Sequence, residues 1–232
     1  MNLKIYADGA QINEMLEAYQ SGKVSGFTTN PTLMKKSGIS DYLGFAHDAL
    51  SKIQDMPISF EVFSDELDEM KVQAMKLASL AENVYVKIPV TNTQGVSTYE
   101  LIKELTSEGV RLNITAIFTE DQIKNVSESI VNDTPCVISI FAGRIANAGI
   151  DPEPIMKYAV ELTKENPEKE ILWASPREAL NVVQAERCGC DIITVTPDIL
   201  KGMETFGKDL EEFSLETVKM FYNDAKEAGF KI

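Results

Sequence analysis

The chain predicts an α/β fold, a (β/α)8 TIM barrel with an additional C-terminal helix. Three observations predict it. Eight short runs rich in β-branched residues recur along 232 residues, with helically periodic segments between them, which is the element count of such a barrel. No Pro-, Gly- or Ser-rich linker divides the chain, so a single domain over 1–232 is expected. The competing doubly wound sheet usually follows its first strand with a glycine-rich phosphate turn. Here that place reads YADGAQ.

The strands are expected at 3–7 (LKIYA), 25–29, 57–62 (PISFEV), 83–88 (NVYVKI), 111–117 (RLNITAI), 135–141 (PCVISIF), 170–174 (EILWA) and 191–195 (DIITV). Between them, apolar stripes at helical spacing run through Leu43, Ala46, Leu50 and Ile53, then Leu67, Met70, Ala74, Leu77 and Ala81. Further stripes are Leu101, Ile102 and Leu105, and Ile155, Ala159 and Leu162. Asn30-Pro31, Asp151-Pro152, Ser175-Pro176 and Thr196-Pro197 each put a capping residue before a proline suited to the first helical position. Ser97 with Glu100 and Thr119 with Gln122 have capping-box spacing, and Gly109 suits a left-handed helix end. After the eighth strand come a short segment from Pro197 to Met203 and a last helix at about 214–228. Its apolar positions Leu215, Val218, Phe221, Tyr222 and Ala225 need a partner surface, either the barrel or a neighbouring subunit of a homo-oligomer.

Composition narrows the function. A formal charge of −14 argues against nucleic acid or an anionic membrane as partner. An anionic substrate would then need a local cluster of Arg or Lys. Cys136, Cys188 and Cys190 are odd in number and form no disulfide framework. With His47 as the one histidine, they also make no zinc set, so no metal is expected. No stretch approaches membrane-spanning length and the first residues hold no long apolar region, so a cytoplasmic protein is expected.

A barrel carries its chemistry at the C-terminal ends of its strands. Polar residues at those ends are Asp8, then Thr28, Thr29 and Asn30, then Ser59 and Glu61, then Lys87, then Asn113 and Thr115. Ser139 follows with Arg144 just beyond it, then Ser175 and Arg177, then Thr194 and Thr196. Asn30, Ser175 and Thr196 are also good helix caps, Asp8 would cap a helix starting near Ala10, and Thr28, Thr115 and Thr194 are ordinary strand formers. Glu61 and Lys87 are harder to explain, because both sit inside apolar runs, ISFEVF and VYVKIP. An unpaired buried charge is expensive. One reading is a structural Lys87–Glu61 ion pair between adjacent strands. The other is chemical: burial disfavours an ammonium, and a neutral lysine amine attacks ketones to form a Schiff base. Glu61 would then shuttle protons and Asp8 would serve as the base that breaks a C–C bond. Asn30, Asn113, Thr115 and Ser139 would hold a sugar, and Arg144 and Arg177 a phosphate. Arg177 would stand in the first turn of the helix capped by Ser175, where free N–H groups favour an anion.

These residues resemble the transaldolases, in particular the small transaldolase-like enzymes that include fructose-6-phosphate aldolase. The resemblance runs along essentially the whole chain and is carried by IYADGA, GFTTNPTL at 26–33, VKIPVT around Lys87, NITAIF at 113–118 and ISIFAGRI at 138–145. It implies Lys87 as the Schiff-base lysine, Asp8 as the acid/base aspartate and Glu61 as a glutamate acting through a water. It implies sugar contacts at Thr28, Asn30, Asn113, Thr115, Ser139 and Phe141, and phosphate contacts at Arg144, Ser175 and Arg177. It also implies sugar-phosphate substrates, no metal and no organic cofactor, and higher oligomers, some built through the C-terminal helix. Fructose-6-phosphate aldolases carry Gln where this chain has Glu61 and Tyr where it has Phe141, so the chain takes the transaldolase-like side. Where many relatives read Ser-Phe-Arg or Ser-Phe-Lys, this chain reads Ser175-Pro176-Arg177.

Overall fold

The computed structural model describes residues 3–231, so Met1, Asn2 and Ile232 of the expected 1–232 domain lie outside it. Eight parallel strands close into a barrel in chain order. They are β1 (Lys4–Asp8), β2 (Gly26–Thr28), β3 (Ile58–Glu61), β4 (Val84–Pro89), β5 (Leu112–Ile117), β6 (Cys136–Ile140), β7 (Lys169–Trp173) and β8 (Ile192–Val195). All eight lie within the expected runs or a residue or two from them, the usual scatter of strand ends. The helices are α1 (Ile12–Ser21), α2 (Pro31–Lys36), α3 (Tyr42–Lys52), α4 (Leu67–Ala78), α5 (Tyr99–Ser107), α6 (Glu120–Ser129), α7 (Ala142–Asn147), α8 (Glu153–Thr163), α9 (Leu180–Cys188), α10 (Pro197–Gly202) and α11 (Leu210–Glu227).

The main core lies between the strands and the surrounding helices. Outward-facing strand residues such as Phe27, Phe60, Ile88, Ile114 and Trp173 are fully buried there. Removing one such large side chain costs about 2–5 kcal/mol. The predicted stripes of α4 and α5 do face this core through Met70, Ala74 and Leu77, and Leu101, Ile102 and Leu105. In α8 the buried stripe is Met156, Ala159 and Thr163, rotated by one residue from the one expected; Leu162 is exposed. Thr163 tolerates burial because its hydroxyl donates to the Ala159 carbonyl.

Several helix starts form as read. Asn30 Oδ1 accepts the Leu33 N–H with Pro31 in the first turn. Thr119 and Gln122 make the capping box. Ahead of α8 the start is shifted by one residue: Pro152 occupies the N-cap, and Asp151 Oδ1, one residue earlier, accepts the Glu153 N–H. Gly109 has φ +78° just past α5. Thr196 stands at the N-cap of α10 with Pro197 in the first turn, but its side chain makes no capping bond. Three other expectations fail. Ser97 makes no capping box; it bridges Thr91, and α5 begins after Thr98, whose hydroxyl donates to the Pro89 carbonyl. Asp8 caps no helix, since α1 starts only at Ile12. Ser175 caps no helix either. It adopts φ +60° and α9 starts only at Leu180.

The reason for that turn is packing. A Cβ on Gly143 would sit 1.7 Å from the Ser175 carbonyl oxygen, so the start of α7 touches the backbone after β7. Only glycine allows so close an approach.

The last helix begins at Leu210, capped by Asp209, four residues earlier than expected. None of its residues is buried. Its apolar positions Leu215, Val218, Phe221 and Tyr222 are more than half exposed, so the barrel is not the surface they pack on. No helix among the described residues is long and apolar enough to cross a membrane.

Candidate active site

Parallel register sets the site. Alternate residues on each strand point into the barrel. Glu61 is in register with Lys87 and Lys87 with Asn113. Asp8 is in register with Thr28, and Thr28 with Ser59. The inward faces of β1 to β6 and β8 therefore deliver polar residues to the barrel interior, two of them from β3 (Ser59 and Glu61) and two from β5 (Asn113 and Thr115), whereas β7 presents Leu172, with Ala174 just past its end. Tyr6, Val137, Leu172, Ala174 and Ile192 fill the rest of the interior with a separate apolar cluster that Tyr85 and Phe141 flank.

Lys87 is only 7% exposed. Its Nζ lies 3.4 Å from Glu61 Oε2 and donates to the Thr29 carbonyl at 3.4 Å. Burial pushes the Glu61 carboxyl above its ordinary range; Lys87 pulls it back in part, and nearby Asp8 pushes it further up. Asp8 is shifted the same way and for the same first cause, burial, against the pull of Lys87 and of a hydrogen bond from Thr28. Two acids that hold protons readily thus face one amine, an arrangement suited to moving protons to and from a reacting centre.

The polar layer around them is bonded. Thr28 Oγ1 donates to Asp8 Oδ1 at 2.8 Å. Ser139 Oγ donates to Asn113 Oδ1 at 2.6 Å, and Asn113 Nδ2 donates to Ser59 Oγ at 3.0 Å. Thr115 is buried, and its hydroxyl is one of two buried side-chain polar atoms without a protein partner among the described residues. Beside it Ala116 adopts φ +60°, where the β5–β6 register breaks between Ile114 and Ile117. Such bulges are frequent next to reacting groups, where they re-aim side chains.

Phe141 follows β6, with its ring 5.7 Å from that of Phe118 and the Arg144 guanidinium 5.5 Å from its centroid. Arg144 and Arg177 are exposed, and Arg177 Nε donates to Asn147 Oδ1 of α7 at 3.3 Å. The two arginines therefore belong to segments joined across the barrel rim. The anion site expected on free N–H groups in the first turn of a helix capped by Ser175 does not form, since α9 starts only at Leu180 and Arg177 lies before it. Asn181 Oδ1 accepts from the N–H groups of both Arg177 and Glu178.

Two contacts were not singled out from the sequence. The Tyr42 hydroxyl donates to the Glu61 carbonyl at 2.6 Å, bracing the end of β3 from the start of α3. Ser59 was noted as polar but not as the partner of Asn113. The inward parity it shares with Glu61 is the signal that finds it. The three thiols are free and buried. Burial pushes Cys136 to about 12 and Cys188 to about 11, values that make them packing residues rather than nucleophiles.

A closed eight-stranded barrel with a buried lysine between two acids at its C-terminal end defines the chain as a TIM-barrel protein of the enzyme-like kind. Solved structures agree on the fold. 3-Hexulose-6-phosphate synthase from Salmonella typhimurium superposes with a TM-score of 0.57 at 13% identity, covering 84% of this chain and 89% of that one. A structure titled "Native KDPGal structure" gives 0.54 at 11%, covering 84% and 82%.

Residues 5–232 match the Transaldolase/Fructose-6-phosphate aldolase family, and the chain belongs to it. A probable transaldolase of Caldicellulosiruptor saccharolyticus is 34% identical over 90% of this chain and 98% of its own length. One from Parvibaculum lavamentivorans is 34% identical over 99% of this chain and all of its own.

Proposed function

We propose that the chain is a Schiff-base transaldolase. It moves a dihydroxyacetone unit from a ketose phosphate, sedoheptulose 7-phosphate or fructose 6-phosphate, to an aldose phosphate, glyceraldehyde 3-phosphate or erythrose 4-phosphate. The observation that carries this reading is the Lys87 amine 3.4 Å from Glu61 Oε2, with Asp8 on the same buried face. Lys87 Nζ attacks C2 of the ketose. The carbinolamine loses its hydroxyl as water, with Glu61 supplying the proton through a bridging water, and an iminium forms. Asp8 takes the proton of the C4 hydroxyl. The C3–C4 bond breaks, its electron pair flows into the iminium, and an aldose phosphate leaves. The remaining enamine on Lys87 attacks the carbonyl carbon of the acceptor aldehyde, Asp8 returns the proton, and water releases the new ketose.

The other groups bind. Asn30 spends Oδ1 on the Leu33 N–H, so its NH2 end is the part a sugar hydroxyl meets. Thr115 offers a hydroxyl not used by the protein. Asn113 and Ser139 line the sugar, Arg144 and Arg177 take the phosphate at the rim, and Ser175 shapes that rim. No cofactor or metal enters the reaction as written. The assembly is a cytoplasmic homo-oligomer in which the exposed apolar side of α11 packs on a neighbouring copy, and the pathway is the pentose phosphate pathway.

A second reading, fructose-6-phosphate aldolase, is favoured by one finding, that the matched family holds both activities. Phe141 argues for transfer, because a phenyl ring gives no hydroxyl to align a water on the enamine, which then waits for an aldehyde. The test is turnover of fructose 6-phosphate with and without an aldose phosphate acceptor. Transfer requires the acceptor. Steady release of free dihydroxyacetone without it would establish the aldolase instead. No turnover in either assay would leave Lys87 and Glu61 as the structural ion pair of a binding protein.

A further inference from the structure

Thr194 of β8 is an ordinary strand former by composition, yet it is 6% exposed and faces into the barrel. Its register partner on β1 is Tyr6, two residues before Asp8, so it lies one layer beneath Asp8. Thr28 Oγ1 stands between them, 2.8 Å from Asp8 Oδ1 and 2.5 Å from Thr194 Oγ1. Hydroxyl chemistry then sets the direction of the chain. A hydroxyl has one proton to give, and an ionised carboxylate has none. With Asp8 ionised, Thr28 must give its proton to Asp8. Thr194 must then be the donor to Thr28.

We propose that Thr194 is a positioning residue for Asp8, polarising the Thr28 hydroxyl and holding the carboxylate in the ionised state and rotamer that take the substrate's proton. The proposal rests on the reading of Asp8 as the base. Three strands, β8, β2 and β1, meet in this chain, and it closes the seam of the barrel with a bonded path in place of an unpaired hydroxyl. Chains of hydrogen bonds polarise one another, so the donor at the far end strengthens the bond that reaches Asp8. The effect opposes burial, which favours protonated Asp8. The charged groups facing Asp8 are Lys87 and Glu61 inside the barrel. Along the groove that runs from Asp8 between α1 and α10 lie Glu14, Glu17, Lys201 and the Lys23–Glu204 pair. The Thr194 hydroxyl bonds Thr28 and none of these charged groups among the described residues, so removing it breaks no bond to them.

The experiment compares the wild type with Thr194→Val, Thr194→Ala, Thr194→Ser and Asp8→Asn. It measures kcat and KM for transfer between pH 5.5 and about pH 9, with thermal melting of each protein. Thr194→Val and Thr194→Ala should lower kcat about tenfold at the acid end, one weakened hydrogen bond to a charged group. The acid limb should move to higher pH, the loss should fade at high pH, and KM should change less than about twofold. Thr194→Ser keeps the hydroxyl and should restore the profile. Thr194→Ala covers the case in which the branched valine upsets packing. A loss equal at all pH values, an unmoved acid limb, or equal loss in Thr194→Ser would overturn the proposal. Asp8→Asn separates the two ideas. Wild-type turnover in Asp8→Asn removes the base reading and the proposal with it, whereas an inactive Asp8→Asn beside an unchanged Thr194→Val removes the proposal alone.

Discussion

Lys87→Met is the change that most sharply probes the site's electrostatics. The substitution keeps the length of the side chain and deletes the one cation between Asp8 and Glu61. At 3.4 Å, and with an effective dielectric of about 20, the Lys87–Glu61 attraction is about 5 kcal/mol before desolvation. Breaking a buried pair from one side costs about 3–5 kcal/mol net when the other charge stays. The carboxylates need not stay charged, however. Asp8 and Glu61 already bind protons more readily than an unfolded chain does, with Lys87 the main opposing pull. Without Lys87 both shift further up.

The native state then holds more protons than the unfolded state from the ordinary carboxylate range up to the raised pKa values. Stability must fall as pH rises through that window. Lys87→Met should therefore lose about 3 kcal/mol near pH 9, or about 6–12 °C in melting temperature for a chain of this size. At pH 5 the loss should shrink to about 1 kcal/mol. Adding Glu61→Gln should recover part of the loss at pH 9. Urea melts at the two pH values read this directly. An equal loss at both, or no recovery in the double variant, would refute the view that Lys87 is paired with these acids.

Asp8→Asn should abolish transfer while raising stability at neutral pH by about 0.5–2 kcal/mol, because it removes a buried charge that folding disfavours; thermal melts beside activity assays check both signs. Phe141→Tyr should add release of free dihydroxyacetone without an acceptor, measured by coupled reduction of that ketone, and unchanged acceptor dependence would count against the dry-enamine argument. Phe221→Asp on α11 should lower the solution mass seen by light scattering without altering the barrel's circular dichroism, and an unchanged mass would remove this face from the assembly.

The barrel was legible because its signals are local. Each strand is a short β-branched run, and each polar residue on the inward face declares itself by its two-residue alternation. That parity is why the sequence sets Glu61 and Lys87 side by side: their strands are neighbours and their register partners are each other. Ser175 shows the limit. A Ser-Pro step reads as a helix start, but the turn is shaped by contact with Gly143, some thirty residues away, and Asn181 takes the N–H groups in its place. The Thr194–Thr28–Asp8 chain was hidden for a related reason. It exists only where β8 closes on β1, and no local pattern fixes that register. The buried stripe of α8 differs from the expected one because its apolar residues nearly surround the helix, and Thr163 takes a buried place with its hydroxyl bonded to the Ala159 carbonyl.

The central claim is that Lys87 carries the substrate carbon as a Schiff base. Borohydride reduction in the presence of fructose 6-phosphate, followed by peptide mass analysis, tests it most directly. The account predicts a reduced three-carbon dihydroxyacetone adduct on the peptide bearing Lys87 and none in Lys87→Met. Absence of an adduct in the wild type, or an adduct on a different lysine, would contradict it.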